Sequence, residues 1–383
     1  MKKVLYIYQK EYPWDVRAEK ICKSLVEAGF RTSILSRGRK DLSFNEISGG
    51  INIIRTRDDF PLLGSAPLPG NPVWISAIKR NLEQFKPDLV IVRDLFLAQM
   101  TAKICNSMSI PVINDMAEHY PAAMRAWKSY NRSLFKRLAV HTLRIPDRLE
   151  KNAVKLMDGI IVVCEEQIQR LTDEFDYPKK NILVVMNTPP VEWSNKIITK
   201  KIKAPFVFGH HGHLTAEKSI DKFLDGFIKS NASAKGWRFR IAGAGECLPD
   251  LEKIARNESS VEFFGEYEFT QLKDILAGID IGVLPYPVND FNNHTLHNKI
   301  FDYFAAGIPV LTSLARPMRR LVDETGAGVS IDCSNPVKIA EFINNIEKYD
   351  WNEFAENARR ASIERYNWEA DSRKFIEFIG EYI

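Results

Sequence analysis

Two successive series of short apolar runs, each alternating with helical patterns, constrain this chain more than any other feature. In the first half Val4 to Tyr8, Thr32 to Leu35, Leu89 to Val92, Val112 to Asn114, Gly159 to Val163 and Ile182 to Val185 read as strands. In the second half Phe206 to His210, Phe239 to Ala242, Val261 to Phe264, Ile281 to Leu284, Val310 to Thr312 and Gly328 to Ile331 do the same. Short apolar runs without polar alternation suit strands covered on both faces, and strands that alternate with helices assemble as parallel sheets. The expected fold is therefore α/β, with two Rossmann-like, doubly wound parallel-sheet domains facing across a cleft and ligands at the carboxyl ends of the strands. Between the series, Met186-Asn187-Thr188-Pro189-Pro190 and the polar stretch to Lys203 lose apolar periodicity, and two prolines oppose a helix there. The expected division is residues 1-195, residues 196-365 and a terminal helix within 366-383.

At 383 residues, 45% hydrophobic and 27% charged, the chain has material for two cores and is not expected to be disordered. Its five cysteines show no C-x-x-C spacing, so neither a zinc site nor a disulfide framework is indicated. The first apolar run meets Lys10 too early for a signal peptide or a spanning helix. A cytoplasmic setting follows as the expectation. Residues 1 to 190 carry 29 Lys/Arg and 21 Asp/Glu, or +8, and the remainder carries 24 and 28, or −4. Positive charge is densest over 125-151, where Arg125, Lys128, Arg132, Lys136, Arg137, Arg144, Arg148 and Lys151 are interleaved with Trp127, Tyr130, Leu134, Phe135, Leu138 and Leu143. Two readings stand: a helical pair with a solvated basic face, or a surface for the anionic inner face of a membrane. Nucleic acid is not expected as a partner, since no binding motif accompanies the charge.

The richest local pattern is His297-Asn298-Lys299-Ile300-Phe301-Asp302-Tyr303-Phe304-Ala305-Ala306-Gly307-Ile308-Pro309-Val310. Ile300, Phe301, Phe304 and Ala305 recur at helical spacing and leave Lys299 and Asp302 on other faces, and Gly307 ends the helix. Backbone N–H groups at the start of such a helix suit a diphosphate, and Asp302 can accept both hydroxyls of a ribose.

This string resembles the Pro-Asn-Lys-Leu-Phe-Glu-Tyr-Met-Ala-Ala-Gly-x-Pro-Val string of the retaining nucleotide-sugar glycosyltransferases of family 4. The resemblance implies the glycosyltransferase-B architecture, with the acceptor on the first domain, the donor on the second and a last helix crossing back to the first. It also implies transfer of a sugar from a nucleoside diphosphate sugar to a glycan or lipid-linked glycan of a surface polysaccharide, with retention and without a metal cofactor. Two departures bear on the chemistry: the family's first acid falls on His294, and its second acid, on Asp302, is one methylene shorter. Thr295 and Leu296 stand where backbone N–H groups meet the phosphates, and Asn298 and Lys299 complete the donor set. The run Gly209-His210-His211-Gly212-His213-Leu214-Thr215-Ala216-Glu217-Lys218 resembles the family's Gly-Arg-Leu-x-x-x-Lys-Gly loop; Lys218 matches, and His213 replaces the arginine. Histidine lacks arginine's permanent charge and fork, although a nearby diphosphate favours its charged form. Three close histidines also raise a zinc site, against which stands the absence of Asp or Cys within the run.

Gly243 and Gly245, after Arg240-Ile241-Ala242, match the family's Gly-x-Gly, either for close approach of the nucleotide or simply for a tight turn. In the first domain Asp15 reads as a helix cap with Arg17 near the cleft. Glu118 and His119 follow the fourth strand and are expected to position reacting hydroxyls, or else to be satisfied structurally. Two alternatives to transfer remain at this stage. One is a sugar-nucleotide epimerase on the same fold, and the other is a non-catalytic partner that binds nucleotide or glycan.

Overall fold

The computed structural model describes residues 1–13, 15–38, 41–56, 64, 66–195 and 201–383, in two units: Met1–Asn187 with Asp371–Ile383, and Thr188–Ala370. Trp14 and residues 196–200 of the expected linker lie outside the described residues.

The first unit is built on an eight-stranded sheet of β1 (Lys3–Glu11), β2 (Arg31–Arg37), β3 (Asn45–Ser48), β4 (Ile51–Arg55), β5 (Leu89–Arg93), β6 (Val112–Met116), β7 (Gly159–Val162) and β8 (Ile182–Val184). The strand order is β3-β4-β2-β1-β5-β6-β7-β8, parallel except for the β3–β4 pair. Val4, Leu5 and Ile7 of β1 are wholly buried, each contributing roughly 1.5–3 kcal/mol by burial, as the unbroken apolar run predicts. Because β1 pairs with both β2 and β5, the crossover direction reverses between β1 and β5. The β3–β4 hairpin was not among the expected strands. Its signal is Gly49-Gly50, with φ of +56° and +80°, in a two-residue turn that pairs Ser48 with Ile51.

The end of the terminal helix, Trp368–Gly380, belongs to this unit from Asp371 onward. The Asp371 carboxylate accepts from the Met186 N–H at 3.1 Å, and a Cβ on Gly159 of β7 would strike Phe378 and Tyr382. The basic segment forms short helices at Lys128–Asn131 and Leu134–Arg137, a π-helical turn at Leu138–Thr142 and a helix at Ile145–Val154. Its apolar side chains are not all internal: Leu134 is 83% and Phe135 79% exposed.

The second unit is a six-stranded, all-parallel sheet of β9 (Val207–His211), β10 (Arg238–Ala242), β11 (Val261–Gly265), β12 (Ile281–Leu284), β13 (Val310–Ser313) and β14 (Gly328–Ile331), in the order β11-β10-β9-β12-β13-β14. This is the doubly wound Rossmann order, with its switch point between β9 and β12. The core contains Phe208, Phe223, Phe227, Trp237 and Phe239, which pack ring on ring. At the start of the unit, Pro189 and Pro190 do not exclude all helix: they lead into a short one, Val191–Asn195, because proline is tolerated just before a first turn.

The helix Lys299–Ala305 shows how this unit builds its site. Ile300, Phe301, Tyr303, Phe304 and Ala305 are buried, so apart from Lys299 and Asp302 the helix is enclosed nearly all round. Phe301 and Phe304 meet Tyr366, and the Tyr303 hydroxyl donates to the Gly209 carbonyl of β9 at 2.8 Å. At its end Gly307, at φ +64°, donates to Phe304 and Ile308 donates to Tyr303, the paired bonds that close a helix in left-handed backbone. Three residues apart, Lys299 and Asp302 share the one open side.

Candidate active site

At the carboxyl end of β9, His210 and His211 alternate to opposite faces, as strand geometry requires. His210 directs Nδ1 to the Val283 carbonyl of β12 at 2.8 Å, whereas His211 places Nδ1 3.0 Å from the Tyr267 hydroxyl. Burial first, then the charge of Lys299, lowers both: His210 falls to about 3 and His211 well below its ordinary range, so both rings are neutral. His213 is exposed on the following loop. His210 and His211 therefore have separate commitments, and the three histidines do not form a metal-holding group among the described residues.

Two lysines converge where the rings diverge. Lys218 donates to the His213 carbonyl, and Lys299 lies so close to Gly212 that a Cβ there would sit 2.6 Å from its Nζ. Burial, followed by the charge of Lys299, brings the Lys218 ammonium down to about 7. Lys299 is itself lowered by burial, opposed by Asp302. Around them three buried polar atoms have no hydrogen-bond partner among the described residues, His210 Nε2, His211 Nε2 and Tyr286 Oη, and Thr295 Oγ1 is likewise buried and unmatched. Two like charges in a low-dielectric setting, ringed by unmatched polar atoms, form a site made for a polar anion. Leu296 is buried, Asn298 exposed, and Asp302 stands 3.8 Å from His211 Nε2. His294 turns Nδ1 to the Asp290 carbonyl at 2.9 Å in the short turn Asn292–His294.

Gly243 and Gly245 stand where two loops meet. A Cβ on Gly243 would come within 2.0 Å of the Gly212 carbonyl oxygen, and one on Gly245 within 2.1 Å of the Leu214 oxygen. Backbone bonds from Gly212 to Ala242 and from Leu214 to Ala244, both 2.8 Å, knit the two loops together. The missing side chains thus let the lysine-bearing loop pack closely on the turn that follows β10.

In the first unit the carboxyl ends of β1, β5 and β6 bring together Asp15, Arg17, Arg93, Asp94 and Asp115. Asp15 is the helix cap, accepting from the Arg17 and Ala18 N–H groups at 3.1 and 2.9 Å, and its carboxylate also takes the Tyr8 hydroxyl and Arg93. Burial pushes Asp15 up, but Arg93 and the capping bonds outweigh it and hold the carboxyl low. Arg17, expected near the cleft, lies inside the unit. It is buried, with its guanidinium bound to Asp115 at 2.6 Å and to the Val185 carbonyl at 2.9 Å. A guanidinium desolvated to this degree needs an internal carboxylate, and Asp115 meets that need.

Glu118 is half-buried; burial, then the charge of Asp94, pushes its carboxyl up to about 7. His119 is buried ahead of the helix Tyr120–Ala126, with Nε2 3.9 Å from Glu150, which is itself paired to Arg170. Arg93 and Asp94, absent from the expected set, sit at the β1/β5 switch point, Asp94 at φ +66° with Gln9 donating to it at 3.2 Å. Their signal was position alone, directly after Leu89 to Val92. Tyr286 was missed, and His211 was read only within the loop string and as a zinc candidate, because only the fold brings them to Lys299 and Asp302.

Residues 15–193 match the family described as Glycosyltransferase Family 4, and residues 205–348 match Glycosyl transferases group 1. The chain belongs to the family 4, group 1 glycosyltransferases. No curated protein matches it by sequence at a significant level. Among solved structures, this glycosyltransferase is similar to sucrose-phosphate synthase from Thermosynechococcus elongatus, with a TM-score of 0.76 at 12% identity over 100% of this chain and 99% of that one. It is likewise similar to HepE from Anabaena in complex with UDP, at 0.71 and 14% over 100% of both chains. A third likeness is to WaaG, a glycosyltransferase involved in lipopolysaccharide biosynthesis, at 0.69 and 14% over 98% of this chain and 100% of that one. At such identities these likenesses speak for the glycosyltransferase-B fold, which the two Rossmann-like sheets display.

Proposed function

We propose that this enzyme transfers a sugar from a nucleoside diphosphate sugar to a glycan or lipid-linked glycan in surface polysaccharide synthesis, with retention at the anomeric carbon and without a metal. The observation that carries this reading is the convergence of Lys218, Lys299 and Asp302 at the β9/β12 switch point, with unmatched buried polar atoms around them. Lys218 and Lys299 bind the diphosphate, and since its charge grows as the glycosidic bond breaks, they stabilise the transition state more than the ground state. Asp302 takes the ribose diol, Thr295 and Leu296 offer backbone N–H groups to the phosphates, and His213 and His294 contact the diphosphate and the transferred sugar. Glu118 and His119 position the acceptor hydroxyl, whose proton passes to the departing phosphate on the same face. HepE has been captured with UDP-glucose, which supports a donor of that class.

Membrane association belongs to the same proposal. Over 125–151 eight basic residues outnumber two acidic ones, and Leu134 and Phe135 project between Arg132 and Lys136. Each basic side chain near an anionic leaflet contributes about 1 kcal/mol, enough in sum to hold the enzyme at the inner face, where a lipid-linked acceptor is found.

A thermal-shift screen with UDP, GDP, ADP and TDP and their sugars tests the donor reading, since a ligand that binds the folded state raises its melting temperature. At least one nucleotide should stabilise the wild type and lose that effect in Lys299→Met. Absence of any shift from all four, together with no nucleotide release in acceptor mixtures, would sink the proposal. Co-sedimentation with phosphatidylglycerol vesicles tests the membrane part: Leu134→Ser with Phe135→Ser should release the enzyme, and unchanged partitioning would refute that docking face.

A further inference from the structure

We propose that His211 is a positioning residue for Asp302: fixed by Tyr267 at Nδ1, it turns an Nε2–H toward the Asp302 carboxylate and sets that carboxylate for the ribose hydroxyls. The inference rests on the donor reading above and adds to it the device by which an acid one methylene shorter than the family's glutamate serves the same purpose.

The geometry decides the proton's place. His211 is 2% exposed and packed edge-on against Tyr303, with ring centroids 5.1 Å apart, so its ring cannot turn freely. Nδ1 lies 3.0 Å from the Tyr267 hydroxyl, which can donate or accept; Nε2 has no hydrogen-bond partner among the described residues and stands 3.8 Å from Asp302 Oδ2. In the Nδ1–H tautomer the Nε2 lone pair would face a carboxylate, which is repulsive. In the Nε2–H tautomer Tyr267 donates to Nδ1 and the ring N–H dipole points at the carboxylate. Burial and the neighbouring Lys299, His210 and Lys218 keep the ring neutral, so the attraction comes from that dipole and not from an ion pair. At 3.8 Å it is an orienting field, longer than a hydrogen bond.

The test reads discrimination, which a merely structural ring would not alter. Dissociation constants of UDP, GDP and ADP and of their 2′-deoxy counterparts are measured by calorimetry for the wild type, His211→Leu, His211→Gln, Tyr267→Phe and Asp302→Asn. The wild type should prefer its best ribonucleotide over the deoxy form by at least about tenfold, the scale of a hydrogen bond to a charged group. His211→Leu should cut that preference to about threefold or less. His211→Gln, which places an amide N–H near the position of Nε2, should retain most of it. Tyr267→Phe alters a half-buried side chain and should give an intermediate value even where His211→Leu folds poorly. Combined with Asp302→Asn, His211→Leu should have no further effect.

The inference is overturned if His211→Leu weakens ribo and deoxy forms equally, or lowers stability with the preference intact. If the wild type binds none of these nucleotides, the donor reading itself fails and takes this inference with it.

Discussion

The carboxyl edges of the two sheets are built from similar residue types and treat charge in opposite ways. In the first unit three buried cations have internal counterparts: Arg17 with Asp115, Arg93 with Asp15, Arg170 with Glu150. In the second unit Lys218 and Lys299 are brought together although each disfavours the other's charge, beside histidines that burial has emptied of theirs. The first edge is balanced in charge, while Gln9 Oε1, Arg93 Nε and Asp94 Oδ1 lack hydrogen-bond partners among the described residues, and it suits neutral hydroxyls, which ask only for hydrogen bonds. The second is electrostatically incomplete and suits a ligand that carries the missing negative charge.

The sharpest way to break this contrast is a pair of substitutions that each remove one cation. Arg17→Met leaves Asp115 buried without its partner and should lower unfolding stability by about 3–5 kcal/mol in urea titrations. Lys299→Met removes a charge that the fold opposes, so stability should hold or rise. Its turnover should nevertheless fall by about 10²–10³, the loss expected when a donor to developing charge is removed. Similar stability losses in both variants would erase the distinction.

Next in size is a pH effect. Lys218 titrates at about 7 in the folded protein, against about 10.4 when unfolded. Between those values the unfolded chain binds more protons, so this group's contribution to stability rises with pH from about 7 to about 10 and is constant below. Lys218→Met should therefore melt above the wild type at pH 6, with the gap closing toward pH 10. Nucleoside diphosphate affinity, which needs the ammonium form, should fall above pH 7 by up to about tenfold per unit. Calorimetry in buffers of different ionisation enthalpy should show proton uptake on binding at pH 8; zero uptake would place the titration elsewhere.

The contrast also explains what the sequence disclosed. Parallel strands buried on both faces give unbroken apolar runs, so Val4 to Tyr8 and Phe206 to His210 were readable, whereas the short β3–β4 pair showed itself only through Gly49-Gly50. Lys218, Lys299 and Asp302 were legible because they are local to a turn and a helix. Long-range partners were not: Tyr267 is 56 positions from His211 and the Asp115 carboxylate 98 from Arg17. Long-range pairing is set by strand order, which is why the sequence placed Arg17 near the cleft without disclosing that Asp115 holds it.

The smallest expected effect probes how completely the first edge satisfies itself. Asp15 does two things at once: it caps the helix Val16–Glu27 through two N–H groups, and it carries the charge that Arg93 meets. Asn caps a helix about as well as Asp, so Asp15→Asn should keep the cap and lose only the charge, whereas Asp15→Ala loses both. Alanine should cost about 1–2 kcal/mol and asparagine on the order of 0.5 kcal/mol, with the discount for a partly exposed pair already taken. The folded-state pKa of Asp15 is held low, so its stabilisation is present above the unfolded value of about 3.9 and is lost as pH falls. The asparagine deficit should therefore be visible at pH 7 and shrink as pH falls below the unfolded value of about 3.9. If asparagine instead costs as much as alanine at pH 7, the charge rather than the cap holds this corner together, and the first edge is as dependent on its ion pairs as the second is on its ligand.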